Sequence, residues 1–157
     1  MPLLEVPDLP LVVEPGSVVV SKGGGVLWAR LAGAPSTSAR PVLYKGTDIA
    51  SWSPAQRRAA GILPLFGRPH APRGMTLAEL VRISGCPPAG LRTVLRARAQ
   101  DLGLPEGLLD KPLDDDAWDE YGSQAEWLQA VMTRPELVVA VGARPPGLAL
   151  DCAAVLL

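Results

Sequence analysis

Gly16-Ser17-Val18-Val19-Val20-Ser21-Lys22-Gly23-Gly24-Gly25-Val26-Leu27-Trp28-Ala29-Arg30-Leu31-Ala32-Gly33 is the stretch on which the fold turns. Three consecutive valines predict a strand, three glycines a tight turn, and Val26 to Ala32 a short helix closed by Gly33. Strand, glycine-rich turn and helix make up the layout of a phosphate-binding loop. A working loop follows G-x-x-x-x-G-K-[ST]: backbone N–H groups wrap the phosphates, the lysine reaches the outer oxygens and the hydroxyl holds Mg²⁺. Here the loop is about five residues short of that pattern. Lys22 precedes the glycines, and Val26 and Leu27 stand where lysine and serine or threonine belong. The scaffold of a nucleotide site is present without its chemistry.

Upstream, residues 3–6 and 11–20 read as strands around the turn Glu14-Pro15-Gly16-Ser17. Downstream, Pro41 to Tyr44 predicts a strand entering a turn at Lys45-Gly46-Thr47-Asp48. Ser53-Pro54-Ala55-Gln56 combines an N-cap, a proline at N1 and a reciprocal N3 partner, so a helix starts there and ends near Gly61. Ile62 to Phe66 is extended, and its proline makes it an edge strand or a strand cut short.

After Pro69 the texture changes. Thr76-Leu77-Ala78-Glu79 is a second capping box, opening a helix to Ser84. Pro87-Pro88 opens a third helix to about Leu102, with Leu91, Val94, Leu95 and Leu102 on one face and arginines on the other. Residues 70–117 therefore read as a mainly helical insertion. Ser123-Gln124-Ala125-Glu126 predicts a cap for a fourth helix to Thr133, leaving Asp114-Asp115-Asp116 in a solvated acidic loop. Leu137 to Val141 is a continuous apolar run, the mark of a strand buried on both faces. Gly147 to Leu157 is expected to be helical. Strands alternating with helices predict an α/β domain with partly parallel strands, one domain over residues 1–157.

Composition narrows the function classes. At 157 residues and 48% apolar, the chain can bury a core. No apolar run approaches a membrane span, and residues 1–20 lack the pattern of a signal peptide, so no membrane insertion and a cytoplasmic location are expected. Cys86 and Cys152 are isolated thiols without metal-type spacing. The aspartate run lacks calcium-loop spacing, and His70, the sole histidine, stands in no nucleophile motif. Charge is polarised: residues 1–104 carry twelve Lys/Arg against six Asp/Glu, and residues 105–157 three against ten. No aromatics interleave with Arg92, Arg96 and Arg98, so nucleic acid is not an expected partner.

The order of these pieces resembles the ABC-type ATPases, most closely the SufC-like ATPase of the SUF iron–sulfur cluster assembly system. Leu11 to Gly16 is similar to the strand and turn before that family's P-loop, and Leu31-Ala32-Gly33 to the end of its P-loop helix. Arg57-Arg58-Ala59-Ala60-Gly61-Ile62 resembles the approach to the Q-loop. Gly74 to Glu79 resembles the start of the helical subdomain, Leu109 to Leu113 the approach to the signature, and Arg134 to Leu137 the Walker B strand. The resemblance implies an α/β fold, a reduced ABC-ATPase-like sheet core with a helical subdomain at about 70–117.

The resemblance also implies that the catalytic parts are altered. Phosphoryl transfer needs lysine, Mg²⁺ and a water-orienting residue in place. The Q-loop position carries Gly67, the signature stretch is Trp118-Asp119-Glu120-Tyr121, and Val141 and Gly142 replace the Walker B carboxylates. No strand bearing the H-loop histidine is expected. A non-catalytic pseudo-ATPase follows, without a cofactor of its own. By the resemblance it binds a protein partner, an iron–sulfur assembly protein or an ABC ATPase component, through Phe66, Arg68, Arg73 and Met75; self-association stays open. The alternative is a nucleotide-binding protein or ATPase with a rearranged site at Lys22, Gly23, Gly24 and Gly25, taking ATP and Mg²⁺. A third reading is a structural remnant with an unrelated ligand.

Overall fold

The computed structural model describes residues 1–15, 17–19, 24–34, 40–66, 74–84, 91–140 and 154–156. In chain order the strands and helices are β1 (Leu4–Val6), β2 (Leu11–Val13), β3 (Ser17–Val19), α1 (Gly24–Ala32), β4 (Leu43–Tyr44), β5 (Thr47–Asp48), α2 (Pro54–Ala59), β6 (Ile62–Leu65), α3 (Leu77–Ile83), α4 (Leu91–Asp101), α5 (Asp115–Thr133), β7 (Leu137–Ala140) and β8 (Ala154–Leu156), with a 3₁₀ turn at Glu106–Leu109. The chain divides into two compact units: Met1–Pro64 with the β7 and β8 segments, and a helical unit over Leu65–Arg134.

In the first unit an antiparallel sheet runs β2-β1-β4-β5, with Leu4 facing Val13 on one side and Tyr44 on the other. Period-two alternation buries Leu4, Val6, Leu11 and Val13 and turns Val12 outward. Thr47 and Asp48, expected in a turn, form β5 instead. The turn is Lys45-Gly46 alone, with φ of 50° and 77°. Two left-handed residues give the I′ geometry whose twist matches a two-residue hairpin.

The second sheet of this unit runs β3-β8-β7-β6, with β8 parallel to both neighbours and Val155 opposite Val18 and Val138. All four residues of β7 are buried, as a strand covered on both faces requires. Strand β6 lies at the edge, where Pro64 costs no ladder bond. The C-terminal stretch expected to be helical supplies β8, so the chain carries a further core strand after β7. Three apolar residues cannot be assigned by periodicity, and the gap between β3 and β7 decides their conformation. Leu27 and Leu31 of α1 join Leu4, Val6, Ile62, Leu137 and Val139 in the core.

The helical unit begins as its capping box requires: Thr76 Oγ1 accepts the Glu79 N–H at 3.1 Å and Glu79 accepts that of Thr76 at 2.9 Å. On α4 the buried residues are Leu95 and Ala99, followed by Leu102. Val94, expected on that face, is exposed, because the buried stripe runs at i, i+4 and i+7 from Leu95. Gly103 (φ 72°) closes α4 while Leu104 N–H bonds the Ala99 carbonyl, a Schellman ending.

Helix α5 corrects two expectations. It starts at Asp115, eight residues before the anticipated Ser123 cap, so the acidic run forms a cap and first turn instead of a loop. Asp114 accepts the Ala117 N–H at 2.8 Å and caps the helix. Carboxylates here lie at the positive end of the helix dipole. Ser123 and Glu126 are thus interior residues, and buried Gly122 is carried within the helix at about 1 kcal/mol relative to alanine. Ala125, Trp127, Leu128 and Ala130 are buried, and Arg134 ends the helix in the left-handed region (φ 48°).

Candidate functional site

The loop-and-helix site depends on α1. Leu27 and Leu31, one turn apart, bury its inner side, and Gly33 (φ 77°) turns the chain as Ala34 N–H bonds the Ala29 carbonyl. Its first turn is Gly24-Gly25-Val26-Leu27, so Gly24 and Gly25 are helical and not part of a turn. Val26 is 73% exposed and Leu27 only 5%. Neither supplies an amine to a phosphate or a hydroxyl to a metal ion. Lys22 and Gly23 lie outside the described residues.

The far end of α1 is held by Arg57, a residue whose role is not legible in the sequence. Arg57 is 2% exposed. Its Nη1 donates to the Arg30 and Leu31 carbonyls at 2.7 and 3.0 Å, Nη2 to that of Ile49 at 2.6 Å, and Nε to that of Trp52 at 3.1 Å. The guanidinium therefore meets the negative end of the helix dipole with its fork of donors filled. Burial lowers its pKa from the usual arginine value. A Cβ at Gly33 would lie 2.8 Å from Arg57 Nε, so glycine is required there by space as well as by φ.

Two charged clusters fix the surrounding loops. Arg30 grips Asp8 with both terminal nitrogens, at 3.0 and 2.9 Å, and Arg40 reaches the same carboxylate at 2.9 Å. These bonds hold the Asp8 carboxyl well below the usual carboxylate range, the Arg30 contact contributing most. Lys45 pairs with Glu136 and lies 5.5 Å from the Tyr44 ring centroid. The Tyr44 hydroxyl is 3.1 Å from both the Ala60 carbonyl and the Glu136 carboxylate. Burial, then Glu136, push the Tyr44 pKa up, while Lys45 pulls that of Glu136 down.

Of the expected partner-binding residues, Phe66 and Met75 are described, whereas Arg68 and Arg73 lie outside the described residues with Gly67 and His70. Phe66 leaves the end of β6 with 55% of its surface exposed. Its N–H donates to Glu126 Oε1 at 2.7 Å. Glu126 is 3% exposed, a buried carboxylate in mid-α5. Half-buried Met75 accepts the Leu113 N–H at 3.0 Å through its carbonyl. Gln129, one turn beyond Glu126, donates to Ser84 Oγ at 2.7 Å. In the sequence Glu126 reads as the cap partner of Ser123, which conceals its burial. An acidic residue between Ala125 and Trp127-Leu128 was the available signal.

Asp119, Glu120 and Tyr121, in the signature-like stretch, lie within α5, while Val141 and Gly142 fall outside the described residues. Among the described residues no group of three or more His, Cys, Asp or Glu gathers to hold a metal ion. No described helix is long and apolar enough to cross a membrane.

No family model matches the sequence, and no curated protein matches it. Solved structures do match its fold. A nucleotide-free ATP-binding cassette from an ABC transporter superposes with a TM-score of 0.57 at 21% identity, over 93% of this chain and 71% of that one. The ADP conformation of an ATP-binding cassette of an ABC transporter gives 0.56 at 21% identity, with the same coverage. CbiO1 from Clostridium perfringens, part of the ABC transporter complex cbiONQ, gives 0.63 at 14% identity, over 99% of this chain and 77% of that one. The fold is similar to that of these ATP-binding cassettes, in reduced form.

Proposed function

We propose that this chain is a non-catalytic module on the cassette fold, a pseudo-ATPase that works by binding another protein. The observation that carries the reading is the first turn of α1. Where a phosphate-binding helix presents lysine and a metal-holding hydroxyl, this one presents exposed Val26 and buried Leu27. Charge stabilisation of a transferring phosphoryl group has no source in that turn. Gly67, Val141 and Gly142, at the Q-loop and Walker B positions of the resemblance, carry no carboxylate or amide side chain either. The partner-binding edge is assigned to Phe66, Arg68, Arg73 and Met75. By the resemblance to the SUF-system ATPase, the partner is an iron–sulfur assembly protein or a second ABC ATPase component, met in the cytoplasm.

Titration of the full chain with ATP, with and without Mg²⁺, tests the reading by calorimetry alongside a phosphate-release assay. The expected outcome is no release and no binding heat up to ~1 mM ATP, a binding free energy weaker than about −4 kcal/mol. A Kd below ~10 µM, about −7 kcal/mol, that disappears in Lys22→Ala would refute it in favour of a rearranged nucleotide site at Lys22 and Gly23–Gly25. Purification from its own cells with no iron–sulfur or ABC component attached would refute the partner assignment.

A further inference from the structure

We draw no further inference here: the strongest candidate, the outer edge of β3 (Ser17–Val19) at the end of the β3-β8-β7-β6 sheet, is left unpaired by the described strands, and nothing in the structure shows what covers it.

Discussion

Replacing Arg57 by methionine is the sharpest test of how α1 is held. Methionine keeps most of the side chain's length and apolar stem and removes every donor. Four carbonyls, those of Arg30, Leu31, Ile49 and Trp52, then lose a charged partner at 2.6–3.1 Å. Two keep some compensation, since Arg30 also accepts the Gly33 N–H at 3.3 Å and Ile49 that of Trp52 at 3.0 Å. Each buried carbonyl left without a partner costs about 1–3 kcal/mol, and removal of the buried cation returns its own desolvation cost. The net loss expected is about 3–5 kcal/mol, a large share of the roughly 5–15 kcal/mol that holds a domain together. At about 2–4 °C per kcal/mol for a chain of this size, the melting midpoint falls by about 6–20 °C. Urea unfolding followed by far-UV circular dichroism measures it, with an unchanged slope showing that the two end states are the same. Arg57→Lys should lose roughly half as much, because a point ammonium cannot span the carbonyls that a planar fork does. A loss under about 1 kcal/mol for methionine, the worth of one ordinary hydrogen bond, would refute this account. So would a lysine variant as stable as the parent.

Two more perturbations probe other parts of the first unit. Asp8 has a carboxyl pKa depressed in the folded state by Arg30 and Arg40. Its contribution to stability is therefore complete above about pH 4, the unfolded carboxylate value, and is lost as pH falls toward the lower folded value. Asp8→Asn should unfold more easily than the parent at pH 7, and the gap should narrow steadily below pH 4 on acid titration; a gap that widens there would contradict the pairing. Val155→Pro places a residue without an N–H in β8, which is bonded on both sides. Loss of cooperative unfolding, or a clearly lower melting midpoint than Val155→Thr, is the expected result; equal midpoints would mean that β8 does not hold β3 to β7.

Local chemistry made much of this molecule legible in advance. The Ser53 and Thr76 capping boxes are visible in four-residue words, and the structure builds both, because a cap is satisfied by atoms three residues away. Gly33 as a helix end and Leu137–Ala140 as a doubly buried strand belong to the same class. Elsewhere two local signals compete. Asp114 and Ser123 each offer a cap, and only the extent of the packed face of α5 chooses the earlier one. Val94 and Ala99 both satisfy a helical stripe, and the neighbouring helices decide which is buried.

The sequence by itself determined the fold class, because strand and helix are written at short range, and it fixed that Val26 and Leu27 of α1 bring neither an amine nor a hydroxyl. Tertiary structure alone decided three other things. It made Ala154–Leu156 a strand between β3 and β7, turned Arg57 into the anchor of α1, and brought the Glu126 carboxylate to the Phe66 N–H. Arg57 reaches Leu31, 26 positions away, Glu126 reaches Phe66, 60 away, and β8 pairs with β3, 137 away, between partners that carry no mark of one another in the sequence. Buried polar groups and central strands are satisfied by whatever the fold brings within reach, and that is fixed only when the chain has closed.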